Sequence, residues 1–217
     1  MARKAAKPEP AEEQGRSSLK RQAILAAATK VFLKEGYLGT NMDEIAALSE
    51  VSKQTVYKHF ASKEALFVEI VSSMTNDTGD KVHHDAPVLA ADGDIEAYLA
   101  DYAYTQLAIV VTPQVMQLRR LVIGEVGRFP ALARTLYERG PLRAIGMLTR
   151  MIEDLAARGL LRVDDAKLAA AHLNWLVMSQ ALNEAMLLGD AAIPRPAELR
   201  RQAAAGVKVF LAAYGTR

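Results

Sequence analysis

Residues 52 to 59 read Ser-Lys-Gln-Thr-Val-Tyr-Lys-His, and seven of these eight side chains can donate a hydrogen bond. Val56 and Phe60 are four residues apart and so share one face of a helix. That arrangement turns Lys53, Gln54, Thr55, Tyr57 and Lys58 outward. A face made almost entirely of donors is suited to recognising a partner rich in acceptors. Catalytic machinery is not apparent elsewhere: the chain shows no carboxylate pair, no nucleophile-and-base set and no glycine-rich phosphate loop, so no enzyme is expected.

Charge supports a polyanionic partner. The 217-residue chain carries a formal net charge of only +2. Residues 16–63, however, hold eight basic residues (Arg16, Lys20, Arg21, Lys30, Lys34, Lys53, Lys58, Lys63) against Glu35, Asp43, Glu44 and Glu50. The basic excess is therefore concentrated around the donor-rich stretch. The chain contains no cysteine, which excludes disulfides and thiolate metal sites. The start, MARKAAKPEP, is unlike a signal peptide, and no uninterrupted apolar run reaches the roughly 18 residues of a membrane span. A cytoplasmic location and no membrane partner are expected.

The elements around this stretch read as helices. Residues 1–16 lack apolar periodicity and read as a disordered arm. Ser17 or Ser18 is expected to cap a helix running to Gly36, with Ile24, Ala27, Ala28, Val31 and Phe32 as its apolar stripe. Asn41 caps a very short helix with Ile45 and Leu48 facing inward, Ser52 caps the next, and Ser62 opens one that reaches about Met74. Residues 75–92 read as a linker. Beyond it, helices are expected over 94–111, from Pro113 to about Gly127, from Pro130 to Gly140, from Pro141 to Gly159, over 165–188, and from Pro196 to about Tyr214. No segment alternates with period two, so the expected fold is all-α.

Two short helices across a tight turn over residues 41–60 form a helix-turn-helix. Its second helix suits the DNA major groove, where glutamine pairs with adenine and lysine with guanine. Lys53, Gln54 and Thr55 are thereby assigned to base edges or their surroundings, and Tyr57 and Lys63 to phosphates. Ser52 and Lys58 join the same surface. His59 reads either as a phosphate contact or as a partly buried helix end.

The stretch AILAAATKVFLKEGYLGTNMDEIAALSEVSKQTVYKHFASKEALF closely resembles the N-terminal domain of the TetR (tetracycline repressor) family. The likeness lies in Phe32, Gly36, Tyr37 and Thr40, in Ile45-Ala46, in Val51-Ser52-Lys53, in Tyr57 and Phe60, and in Ser62-Lys63-Glu64. Many members carry glycine where this chain has Glu50, so either Glu50 holds a strained left-handed conformation or the turn takes another course. The resemblance implies a helix-turn-helix DNA-binding domain over 17–62 and a helical ligand-binding and dimerisation domain over 63–217. It also implies a homodimer on a palindromic operator, a small-molecule effector, and Thr40 as a phosphate contact. The helix over 62–74 would move when ligand binds. EVGRFPALARTLYERGP, residues 125–141, is similar to a subgroup of these regulators linked to efflux or stress operons.

The effector site is read from methionines and aromatics, which make adaptable walls for apolar or amphipathic ligands. The wider set is Tyr98, Tyr102, Tyr104, Met116, Met147, Met151, His172, Trp175, Met178 and Met186. Tyr102, Met116, Met151, His172, Trp175 and Ser179 are taken as the pocket, although at helical spacing such residues also build plain cores. Glu125 with Arg128, or Arg119 with Arg120, could hold a polar ligand or form structural ion pairs. His83-His84-Asp85 lacks a third ligand, so neither metal nor cofactor is expected. Leu173, Val177, Ala181, Ala185, Val209, Phe210 and Ala213 are expected to form a four-helix interface between two copies. The competing reading is a non-regulatory all-α enzyme or small-molecule carrier.

Overall fold

The structure, a computed structural model, describes residues 11–216 apart from Ala86, Val88, Ala91 and Asp92, with side chains described from Gly15 onward. Among these residues lie ten α-helices: α1 (Ala11–Gly39), α2 (Met42–Leu48), α3 (Lys53–His59), α4 (Lys63–His84), α5 (Ile95–Val110), α6 (Pro113–Gly124), α7 (Pro130–Tyr137), α8 (Arg143–Ala157), α9 (Ala166–Leu188) and α10 (Pro196–Tyr214). No strand forms among the described residues; a lone bridge joins Leu161 to Gly215. The all-α expectation holds. The chain divides into two compact units, Met1–Ile70 and Val71–Arg217. The division falls about two turns beyond the expected boundary, because Leu66, Phe67 and Ile70 of α4 are buried in the first unit.

In the first unit α1 buries Ile24, Ala27, Ala28, Val31 and Phe32, the expected stripe. The helix begins at Ala11 rather than Ser17, so residues 11–16 are helical and only 1–10 of the expected arm lie outside the described residues. Alanine, glutamate and glutamine are strong helix formers, which the arm reading underrated. Gly36 interrupts α1 with φ 70°, a left-handed conformation that glycine adopts without steric cost. Phe67 packs on Phe32 and Tyr37, with ring centroids 5.2 and 5.1 Å away.

The turn between α2 and α3 settles the Glu50 question. The Val51 N–H donates to the Ala46 carbonyl and the Glu50 N–H to the Ala47 carbonyl, at 3.1 and 3.2 Å. These two bonds define a Schellman ending, with Glu50 at the position where a helix turns left-handed. Glu50 has φ 55° and is the one non-glycine residue with positive φ among the described residues. Buried Ser49 reinforces the turn by donating its hydroxyl to the Ile45 carbonyl at 2.6 Å.

In the second unit the expected linker is partly wrong: α4 runs unbroken to His84. The hydroxyls of Thr75 and Thr78 donate to the Val71 and Met74 carbonyls at 2.6 and 2.7 Å, and Thr75 and Val82 are buried. Packing and these internal bonds override the breaker-rich composition. The stop expected at Gly140 is also absent. The chain passes from α7 to α8 through a π turn, Glu138–Leu142, which contains Pro141. Its wider winding tolerates the N–H that proline lacks. The core gathers Leu99 and Leu107 of α5, Leu148 and Ile152 of α8, Leu173 and Val177 of α9, and Val207 and Phe210 of α10.

That packing corrects the residues expected at a dimer interface. Leu173, Val177, Ala181, Ala185 and Phe210 are buried within the unit itself. The large apolar side chains that α9 and α10 expose are Leu168, Trp175, Leu176, Leu187, Leu188 and Val209, and of the expected set Val209 and Ala213 are exposed.

Two glycines in the second unit distinguish packing from propensity. A Cβ on Gly206 would lie 3.2 Å from Val177 Cγ2 and 3.3 Å from the Leu176 backbone, so α9 and α10 approach closely there. A Cβ on Gly146 would meet nothing within 4 Å. Gly206→Val is expected to destabilise by about 1–3 kcal/mol through overpacking. Gly146→Ala is expected to stabilise by about 0.5–1 kcal/mol through helix propensity. Midpoints of urea unfolding with an unchanged slope measure both. By the same method, Glu50→Gly is expected to stabilise the first unit by about 1 kcal/mol, because the left-handed strain disappears.

Candidate nucleic-acid interface and ligand cavity

The helix that carries the donors is fixed from its ends and its inner face. Ser52 caps α3 by accepting the Thr55 N–H at 3.1 Å, and its hydroxyl lies 2.8 Å from that of Thr55. Val56 is buried inside, and Phe60 closes the C-terminal end beneath the Arg21 guanidinium, 5.0 Å from its ring centroid. Arg21 is itself held by Glu69 at 2.8 Å. Gln54, Tyr57 and Lys58, spaced i, i+3 and i+4, form the exposed face. None of the three makes a side-chain hydrogen bond or ion pair to another described residue.

The other expected contacts already have partners. Lys53 is exposed and paired with Asp43, Nζ to Oδ1 at 2.8 Å, which holds its ammonium above the usual lysine range. Lys63 donates from Nζ to the Thr40 carbonyl at 3.0 Å and lies 4.8 Å from the Tyr37 ring centroid. It clasps the end of α1 to the start of α4 within the first unit. Thr40 is 5% exposed and donates its hydroxyl to the Gly36 carbonyl at 2.6 Å, which makes it a helix cap. Ser52 and Thr55 are likewise engaged in capping. His59 is partly buried beside Phe60 at the C-terminal end of α3.

The second unit contains a cavity of about 60 Å³ that is partly open to solvent. Its walls come from α4 (Thr75, Thr78, Gly79, Val82), α5 (Gln106, Val110), α6 (Val115, Leu118, Arg119), the π turn and the start of α8, and α9 (Asn174, Trp175, Met178, Leu182). Gln106 and Asn174 are buried and joined through Nε2 and Oδ1 at 3.3 Å. Arg143 of α8 reaches Asp80 of α4 at 2.6 Å, and Arg139 reaches Asn76 at 3.3 Å. Gly79 allows this clasp, since a Cβ there would lie 2.8 Å from Arg143 Nη1.

Of the six pocket residues expected from sequence, only Trp175 lines this cavity; Met147 and Met178 of the wider set join it. Tyr102, Met116 and Met151 belong to the core or its edge. Burial pushes the Tyr102 phenol up to about 12, and Met151 accepts a bond from the Tyr98 hydroxyl at 3.0 Å. His172 and Ser179 lie with Trp175 along an open groove between α9 and α10, where His172 Nδ1 is 2.7 Å from the Tyr214 hydroxyl. The contribution of α4 was missed because residues 75–92 read as linker. The signal was present, since Val71, Thr75, Thr78 and Val82 recur at helical spacing.

Among the described residues no group of three or more His, Asp or Glu side chains is arranged to hold a metal ion. No single helix there is long and apolar enough to cross a membrane; α5 and α6 qualify only as a pair bent by 62°.

Comparison with known proteins matches both units. Residues 24–70 fit the model of bacterial regulatory proteins of the tetR family, and residues 97–216 fit that of the AefR-like transcriptional repressor C-terminal domain. The HTH-type transcriptional repressor NicS of Pseudomonas putida is 32% identical over 157 residues, 70% of each chain. A TetR-family regulator structure from Mesorhizobium loti superposes with a TM-score of 0.85 at 39% identity, covering 93% of this chain and 99% of that one. The structure of the flavonoid-responsive regulator FrrA gives 0.71 at 33% identity, covering 94% of this chain and 99% of that one. These relatives are regulators and not enzymes, which sets aside the enzyme or carrier reading. The chain belongs to the TetR family of transcriptional regulators and is a DNA-binding repressor with an AefR-like C-terminal domain.

Proposed function

We propose that this repressor acts as a cytoplasmic homodimer on a palindromic operator and is released when a small apolar or amphipathic molecule enters the cavity of its second unit. The observation that carries the reading is the composition of α4. Its Thr75, Thr78, Gly79 and Val82 form one wall of the cavity, while its first residue, Lys63, is bonded to the Thr40 carbonyl in the DNA-binding unit. A ligand that displaces this wall acts on a helix whose other end belongs to the reading head. Release requires tighter binding to the non-repressing arrangement, because equal affinity for both shifts nothing. FrrA, named as flavonoid-responsive, makes a planar aromatic compound a reasonable first effector to screen.

On DNA, Gln54 reads a base edge, Tyr57 bonds a phosphate through its hydroxyl, and Lys58 supplies charge to a phosphate. Lys53 joins them by exchanging Asp43 for the duplex. Thr40, Ser52, Thr55, His59 and Lys63 serve mainly by holding the reading helix, and any phosphate contact they make is secondary. The dimer uses the exposed stripe on α9 and α10.

Binding across a salt series, on the preferred duplex and on a random one, tests the reading head. Lys58→Ala should weaken both duplexes equally and reduce the salt slope by about one unit per lost contact, about two for a dimer that presents the residue twice. Gln54→Ala should cost about 1–3 kcal/mol on the preferred site and much less on the random one. An unchanged ratio of specific to non-specific affinity in Gln54→Ala would show that another residue reads sequence. For the dimer, light scattering of the wild type should give twice the chain mass. Leu176→Glu combined with Val209→Glu should return the mass to that of one chain and lower operator affinity. A monomeric wild type that still binds the operator tightly would refute it.

A further inference from the structure

Arginine has five N–H donors and keeps its charge at any physiological pH. Two arginines line the cavity, Arg119 and Arg143, and no aspartate or glutamate does. Arg143 has its counter-charge in Asp80. Arg119 has none: it forms no ion pair or side-chain hydrogen bond among the described residues, and its Nε is shut off from solvent without a partner. The neighbouring residues behave differently. Arg120, one position along α6, is bound to Asp190 and donates to the Ala185 carbonyl at 2.7 Å, while Arg128 pairs with Glu125 at 3.7 Å. Of the four charged residues that sequence marked as ion-pair or ligand candidates, three are in pairs and Arg119 alone faces the cavity.

A partly desolvated cation without a partner is costly to the folded state, and no described residue offsets it. Burial pulls the Arg119 guanidinium below its usual value. Around it the walls are apolar, from Val110, Val115, Leu118, Met147, Met178 and Leu182. We propose that the effector carries one oxyanion, a carboxylate or an ionised phenol, on an apolar body, and that Arg119 receives that oxyanion. This rests on the reading of the cavity as the effector site. The ligand supplies the missing counter-charge through charge-assisted hydrogen bonds, while its body fills the space between α4, α6 and α9.

Calorimetric titration of the full chain with 2-naphthoate and with its uncharged counterpart 2-naphthamide tests this. The carboxylate should bind at least about tenfold more tightly than the amide, the value of one charge-assisted hydrogen bond. Arg119→Met, which keeps length and removes charge, should abolish the preference while leaving naphthamide affinity near that of the wild type. Arg119→Lys should retain part of the preference. Without ligand, Arg119→Met should also unfold at a higher temperature than the wild type, because the unpaired charge is gone. Equal binding of the two probes to the wild type overturns the oxyanion and leaves the cavity reading standing. Binding of neither overturns both. A preference that survives in Arg119→Met overturns the assignment to this residue. A nitrophenol scanned through its own ionisation separates the two sources: tightening as it ionises supports a phenolate, and no change overturns that arm.

Discussion

A helix of seven residues, the length of α3, has no stability of its own in water, yet its outer face must stay bare to meet DNA. Everything that holds it must therefore act from below or from the ends. Ser52 satisfies the N-terminal amides, the Schellman turn fixes the entry, and Val56 and Phe60 anchor the inner face. This demand explains why so many residues in one short segment carry hydroxyls or charges. On the proposed reading some of them meet DNA, and the rest immobilise the helix that does. Glu50 shows how strong the constraint is. The turn keeps its left-handed geometry although a glutamate, and not a glycine, occupies it.

The second unit carries a different tension. A cavity bounded by methionines and branched aliphatic residues forgoes close packing, and an unpaired guanidinium in its wall adds a further cost. Neither feature helps the protein fold. With the anionic apolar effector proposed above, both would become favourable on binding, and stability withheld from the free protein would be available to the complex. Stability is restored around the cavity by conventional means: the Arg143–Asp80 clasp, the Arg120–Asp190 pair, and the tight approach of α9 and α10 at Gly206.

The reading head was largely legible in the sequence because its signals are local. Asn41 and Ser52 cap the helices as their positions suggested, Gly36 breaks α1, and Val56 and Phe60 are the inner face. What could not be read was which donors were already engaged. Lys53, Lys63 and Thr40 meet partners 10, 23 and 4 residues away, and the first two separations are set by tertiary packing. The cavity was read poorly for the same reason. Methionines and aromatics at helical spacing look alike whether they face a core or a void, and only the packing of α4, α6, α8 and α9 places Met147 on the cavity, Met116 in the core and Met178 on the border of both. The length of α4 was missed because composition was weighed above the recurrence of Val71, Thr75, Thr78 and Val82.

The middle of α4 has little intrinsic preference for a helix. Its turn from Thr75 to Gly79 contains two β-branched residues and a glycine, each a weaker helix former than alanine, and glycine by about 1 kcal/mol. Local preference therefore gives this turn little reason to be helical. It is held by burial of Thr75 and Val82 and by the arginine clasp, whose Arg143 tip lies against Gly79. A segment whose helicity depends on its neighbours responds when those neighbours change. Here one such neighbour is the cavity, so the turn least committed to its conformation is also the turn that a ligand would touch.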